Sequence, residues 1–267
     1  NLESIMHTVS LCDTLEFELS DNIELFCSDK DLPTDKTNLV YKTVAKLKEK
    51  YNIKKGIKIN LTKNIPMGAG LGGGSSDAAA TITALNKIWK INAPKEELEQ
   101  FAATIGADVP FFLTGGTAKI SGIGNIVEKI HCTNKYFFIL VKPSFGVSTV
   151  YAYSKIKFPL TNQRKINKIT QVLKNNACSK EDFRNLVFNR FEEFVFDEYQ
   201  EISTIKNILQ NLGCVRLMSG SGATVFGLVA NQEELNSVFD KLQQYNWNIW
   251  AVSSFEVYNN SVHLEVQ

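Results

Sequence analysis

The stretch Pro66-Met-Gly-Ala-Gly-Leu-Gly-Gly-Gly-Ser-Ser-Asp-Ala-Ala-Ala80 decides how the rest of the chain is read. Five glycines, at 68, 70, 72, 73 and 74, fall within seven residues, and two serines and an Ala-rich, helix-prone run from Asp77 to Trp89 follow. A loop with so few Cβ atoms lets its backbone N–H groups converge on one point. A helix starting behind it adds unpaired N–H groups and the positive end of a dipole. Loop and helix together predict a site for a polyanion, most often phosphate. The bland alternative is a flexible Gly/Ser linker, but linkers seldom lie between an alternating strand and an amphipathic helix.

Gly68, Gly70 and Gly73 satisfy G-x-G-x-x-G. A dinucleotide-binding unit would need a second strand ending in an acid about 20 residues further on. That region reads Lys87-Ile-Trp-Lys-Ile-Asn-Ala-Pro94, a helix end and a loop. The P-loop requires Gly-Lys-Ser/Thr, and no Lys occurs between Pro66 and Asn86. The Val-Ala-Ile-Lys, His-Arg-Asp and Asp-Phe-Gly motifs of protein kinases are absent.

Working outward, Ile5 to Leu19 alternates like one strand, Ile23 to Cys27 like another, and Gly56 to Thr62 delivers the chain to the loop. Asn38 to Lys50 carries a helical stripe at Leu39, Val40, Val44 and Leu47. A further helix starts near Pro94 and stops at Gly106. Thr117 to Ile130 reads as a hairpin turning at Gly122-Ile-Gly124. A second unit is expected from Lys135: strand 136–141, helices around 148–156 and within 164–176, 181–196 and 199–212, strands 214–218 and 224–229, helix 232–244 and a strand near 247–257. The expected division is 1–134 and 135–267.

Composition sets limits. The 267 residues are 44% hydrophobic and 21% charged, and 29 basic residues against 28 acidic ones give a net charge of +1, the profile of a globular protein. No basic stripe points to nucleic acid or a membrane surface, and Tyr136-Phe-Phe-Ile-Leu-Val141 is too short to span a bilayer. Five scattered cysteines (12, 27, 132, 178, 214) predict reduced thiols rather than a disulfide framework or a metal site. The three histidines (7, 131, 263) fit no triad. The chain opens on Asn1 in mid-strand, so an N-terminal piece is expected to be missing from it.

The string Ile65 to Ala79 resembles the phosphate loop of the GHMP kinases. Three more segments are similar to that family: Gly106-Ala-Asp-Val-Pro-Phe-Phe112, Pro143-Ser-Phe-Gly-Val-Ser-Thr-Val-Tyr-Ala-Tyr153 and Leu217-Met-Ser-Gly-Ser-Gly-Ala-Thr-Val-Phe226. The triple Gly and doubled Ser most resemble the branch whose acceptor is 4-diphosphocytidyl-2-C-methyl-D-erythritol. The resemblance implies an α+β, two-domain fold, with an N-terminal mixed βα domain and a C-terminal ferredoxin-like domain. It implies transfer from ATP, with Mg²⁺, to the 2-hydroxyl of that acceptor in the non-mevalonate isoprenoid route. A homoserine or mevalonate kinase, or a non-catalytic nucleotide-binding relative, is the alternative. The partner is then a small cytidyl diphosphate, with neither nucleic acid nor membrane. The chain would be a monomer or weak homodimer in a bacterial cytoplasm or plastid stroma.

Asp108 is the expected base, on a turn where Pro110 would hold Val109 extended. Its bland reading is a helix cap. The resemblance assigns ATP to Pro66, Met67, Gly68, Ala69, Gly70, Leu71, Gly72, Gly73, Gly74, Ser75 and Ser76, with Lys63 beside the nucleotide and Asn38 at adenine. Lys63 otherwise reads as a solvated strand end, and Asn38 as an N-cap. One of Ser75 and Ser76 is expected to cap the helix, either could touch the metal, and Asp77 reads as a first-turn acid. Thr149 and Tyr153 are expected to meet the acceptor, Tyr153 by stacking on cytosine, although an aromatic there also reads as core. Gly220, Ser221 and Gly222 form a hairpin turn that doubles as a second N–H cradle, facing the first across the cleft. In the family a Lys and a Gly-Tyr-His segment precede the position of Asn1, and both would be expected upstream.

Overall fold

The computed structural model describes residues 2–156, 163–175 and 179–255. The first half runs β1 (Ser4–His7), β2 (Thr14–Ser20), β3 (Ile23–Cys27), α1 (Leu39–Lys50), β4 (Gly56–Thr62), α2 (Gly73–Ile88), α3 (Lys95–Ile105), α4 (Val109–Thr114), β5 (Thr117–Ser121) and β6 (Ile126–Ile130). β4 is the centre of a sheet ordered β2-β4-β3, antiparallel to β2 and parallel to β3. A parallel pair needs a crossover, and α1 supplies it. Ile57, Ile59 and Leu61 of β4 pack with Val40, Val44 and Leu47 of α1, Ala78, Ile82 and Leu85 of α2 and Phe101 of α3. Truncating one of the fully buried members, Leu47 or Ile82, to Ala costs about 2–5 kcal/mol.

The single strand expected over 5–19 is two strands in two sheets. β1 pairs with β5 in a sheet ordered β1-β5-β6, whereas β2 pairs with β4. Residues 8–13 carry the chain between them. Alternation persists through that crossing, so periodicity could not mark it.

α2 begins at Gly73, four residues before the expected start, with left-handed Gly72 as its N-cap and no side-chain cap. Neither serine caps it. Ser76 lies inside the first turn, where its Oγ donates to Gly73 O at 2.7 Å. Val109 is helical, not extended. Pro110 sits at the second position of α4, where a missing N–H leaves no intrahelical bond unmade.

The second half contains β7 (Phe137–Lys142), α5 (Thr149–Ser154), α6 (Gln163–Lys174), α7 (Lys180–Phe183), α8 (Glu192–Glu198), α9 (Gln200–Asn211), β8 (Val215–Met218), β9 (Val225–Val229), α10 (Gln232–Leu242) and β10 (Asn248–Ser253). Its sheet is ordered β10-β7-β9-β8 and every pair is antiparallel, which is the ferredoxin-like order. The helix expected over 181–196 is two short helices, α7 and α8, separated by irregular chain. Of the expected elements, residues 176, 256 and 257 lie outside the described residues, as do Cys178 and His263. The two ends of the described chain are joined: Val9 bridges Ser254, Ser10 N donates to Ser253 O and Phe255 N to Thr8 O.

Candidate active site

The glycine loop leaves β4 and turns into α2 against the second half of the chain. Its carbonyls point that way. Gly68 O accepts from Val147 N (3.2 Å) and Ala223 N (3.4 Å), Ala69 O from Thr224 N (3.2 Å), and Gly70 O from Ser219 Oγ (2.8 Å). Gly70 has φ +70°, and a Cβ there would lie 2.2 Å from Ser219 O. The two glycine turns therefore touch, rather than facing one another across open space. Ser76 N makes the first intrahelical bond, to Gly72 O. The N–H groups of Gly73, Gly74 and Ser75 come before that bond, at the positive end of a 16-residue helix. All three residues line the large cleft between the halves.

Asp108 stands on the same cleft. It occupies the N-cap position of α4, yet its side chain makes no capping bond, so the cap reading fails. Gly124 of the β5–β6 turn backs it: a Cβ there would lie 3.4 Å from Asp108 Oδ1. Its carboxyl is raised above the usual carboxylate range by burial alone. A raised carboxyl in a cleft is suited to accept a proton near neutral pH.

Tyr153, on α5, is 48% exposed and not core. Its ring meets Phe191 edge-on at 5.0 Å. Burial first, and then the charge of Asp108, raises its hydroxyl above the usual value, which places acid and ring in one field. Thr149 Oγ1 lies 3.1 Å from Ser221 Oγ, tying α5 to the second turn. Ser219, Gly220 and Ser221 line the cleft, whereas Gly222 is buried behind them against Met218.

The family pattern described as GHMP kinases N terminal domain matches residues 38–116, and that described as GHMP kinases C terminal matches 175–248. A 4-diphosphocytidyl-2-C-methyl-D-erythritol kinase of Bacillus cereus (strain B4264) is 38% identical over 94% of this chain and 87% of its own length. The chain is a GHMP kinase. A relative of the same name from Bacillus anthracis has the same identity and coverage. A crystal structure of 4-(cytidine 5'-diphospho)-2C-methyl-D-erythritol kinase superposes with a TM-score of 0.76 at 28% identity, covering 94% of this chain and 89% of that one. The homoserine kinase of Cytophaga hutchinsonii shares the fold at TM-score 0.79, 21% identity and the same coverage.

In this GHMP kinase Lys63 is not a solvated strand end. Its side chain is 7% exposed and its Nζ binds Asp77 at 2.9 Å and Asp13. Burial works against the Lys63 charge, but the two carboxylates outweigh it and hold its pKa above the ordinary lysine value. Asp77 lies beyond the first turn of α2 and is buried, so it is no exposed first-turn acid. Burial and the neighbouring Asp13 push its carboxyl up to about 7 against the pull of Lys63. Asn38 is the N-cap of α1: Oδ1 accepts from Val40 N at 2.8 Å and Nδ2 donates to Pro33 O at 2.7 Å. It borders the cleft, with those two contacts already made.

Sequence reasoning missed three contributors. Asp13 was hidden inside an apparent strand. Asn189 lies in the irregular chain before α8, where Nδ2 donates to Met218 O and Gly220 O, both at 2.7 Å, and so braces the second turn. Phe191 backs Tyr153. Local pattern carries no mark of any of these, because each acts on a partner far along the chain. Among the described residues no cluster of His, Cys, Asp or Glu could hold a metal, and no helix is long and apolar enough to cross a membrane.

Proposed function

We propose that this kinase transfers the γ-phosphoryl group of ATP to the 2-hydroxyl of 4-diphosphocytidyl-2-C-methyl-D-erythritol, giving ADP and the 2-phosphate. The observation that carries the acceptor is the 38% identity, over 94% of the chain, to relatives named for that kinase. Cytoplasmic chemistry on a small nucleotide-linked alcohol fits this reading. So does a division into units 1–134 and 135–267, with the glycine loop of the first braced by the second.

Phosphoryl transfer asks for positioning and charge stabilisation more than covalent chemistry. The N–H groups of Gly73, Gly74 and Ser75, with the α2 dipole, receive the phosphates. Mg²⁺ arrives on ATP as part of the substrate and neutralises phosphate charge. A cation of this kind is held largely by substrate phosphates, and the Ser75 hydroxyl, on the cleft, is the side chain we assign to it. Asp108 accepts the proton of the acceptor hydroxyl as it attacks. Tyr153 offers a face to the cytosine ring, and Thr149, Gly220 and Ser221 line the path of the diphosphate.

The test is ADP release from ATP-Mg²⁺ with the cytidyl acceptor, by the parent and by Asp108→Asn. Turnover lost in the variant supports acceptor and base together. Turnover with homoserine or mevalonate instead, insensitive to CDP, would overturn the acceptor assignment.

A further inference from the structure

Three segments distant in sequence meet beneath the glycine loop. Asp13 comes from the crossing between β1 and β2, and its side chain is 1% exposed. Its Oδ1 accepts from Asn64 N at 2.6 Å and from Ile65 N at 2.8 Å, the last two N–H groups before Pro66. Its Oδ2 holds Lys63 Nζ, which also donates to Asp77 Oδ2 in α2 at 2.9 Å. Lys63 N in turn donates to Ser28 Oγ at 2.9 Å. The ammonium lies so close under the start of α2 that a Cβ on Gly73 would come within 3.2 Å of it. Both stems of the loop, 63–65 and 73–77, are thus joined through one buried cation.

That place is unfavourable for a cation in isolation. It is buried, and it sits at the positive end of α2. Two carboxylates make it tenable, and Asp13 is the one that also grips the backbone of the incoming stem. Without Asp13, Lys63 would keep a single counter-ion and two backbone donors would lose their acceptor. An unpaired buried group is costly, and movement of a stem relieves the cost by displacing the loop.

We propose that Asp13 is a positioning residue for ATP: it fixes the glycine loop and the α2 N–H groups in their phosphate-binding geometry through Lys63 and the Asn64–Ile65 backbone. The inference rests on the reading of the loop as the phosphate site. It assigns Asp13 no contact with either substrate.

The test compares Asp13→Asn, Asp13→Ala and Gly74→Val in the full chain, by steady-state kinetics with each substrate varied and by calorimetric titration with ATP-Mg²⁺. Asn keeps an oxygen for the two N–H groups but loses the charge. A Cβ at Gly74 meets only Leu39, at 3.5 Å, so valine there is expected to add bulk beside the α2 N–H groups without a backbone clash at its Cβ. The expected result is an ATP KM raised about tenfold in Asp13→Asn and more in Asp13→Ala, with the acceptor KM and the kcat at saturating ATP within about threefold of the parent. Gly74→Val raises the ATP KM as well. If Asp13→Ala fails to fold, Asp13→Asn decides alone. An unchanged ATP KM in Asp13→Asn, or an equal rise for both substrates, overturns the inference. If Gly74→Val still raises the ATP KM, the loop reading survives that failure. No rise in any variant, or a rise in the Asp13 variants alone, overturns both.

Discussion

Asp108 and Asp77 are both aspartates whose carboxyls are pushed upward by burial, and they border the same cleft. Their surroundings separate them. Asp77 is 3% exposed and held by Lys63, with Asp13 beside it. Asp108 is open to the cleft, and no charged neighbour offsets the effect of burial on it. Asp77 is buried with an oxygen held by the Lys63 ammonium, so it is badly placed to meet a substrate hydroxyl whatever its protonation. Asp108 is open to the cleft, where a raised carboxyl can take a proton from a bound hydroxyl. The contrast shows why a raised pKa alone does not identify a catalytic acid or base.

The sharpest way to break the contrast is Asp108→Asn, which should lower kcat by about 10³-fold while both KM values stay near those of the parent. The parent's kcat/KM should fall as pH drops, with an acid limb above the ordinary carboxylate range, because Asp108 acts only when ionised and burial raises its pKa. A limb near pH 4, or a variant with normal kcat, would remove Asp108 from the role. Gly70→Ala comes next. Its Cβ would collide with Ser219 O, and misplacing both turns by about 1 Å should cost roughly 10²-fold in kcat/KM for either substrate. An effect confined to one substrate would show that the two turns do not act as one wall.

Tyr153→Ala should raise the acceptor KM about tenfold and leave the ATP KM alone, since stacking on a base is worth about 1–3 kcal/mol. Equal effects on both substrates would contradict the stacking role. The smallest effect belongs to Asp77→Asn. The fold holds the Asp77 proton up to about pH 7, whereas the unfolded chain releases it near the ordinary value of about 4. The native state therefore binds more protons across that window, and this contribution to stability is lost as pH rises through it. Asparagine suffers no such loss, so the Tm of the variant relative to the parent should climb between pH 4 and pH 8. Parallel melting curves across that range would remove the titration from Asp77.

Much of this was legible in the chain because it is written locally. The alternation of Ile57, Ile59 and Leu61 and the stripe of α1 reappear as the first core. The four strands expected after Lys135 reappear as the ferredoxin-like sheet. What escaped was long-range. Alternation at 5–19 could not reveal a change of sheet, and with it went Asp13, whose partners lie 50 residues and more away. The expectation of a serine cap followed general preference, but a left-handed glycine already performs the turn into α2. Lys63 and Asp77 are adjacent only once β4 and α2 are assembled, so neither residue's neighbours in sequence disclosed their burial.

The zipping of residues 8–10 to 253–255 bears on how the protein is made. Thr8 and Phe255 are 247 residues apart in sequence. At roughly 5–20 residues per second of synthesis, the crossing segment that carries Asp13 waits on the order of 10–50 s for its partner strand to leave the ribosome. The first glycine loop emerges long before the second turn that braces it. Until residues 219–224 have been made, the nascent glycine loop therefore lacks partners that brace it from the second half of the chain.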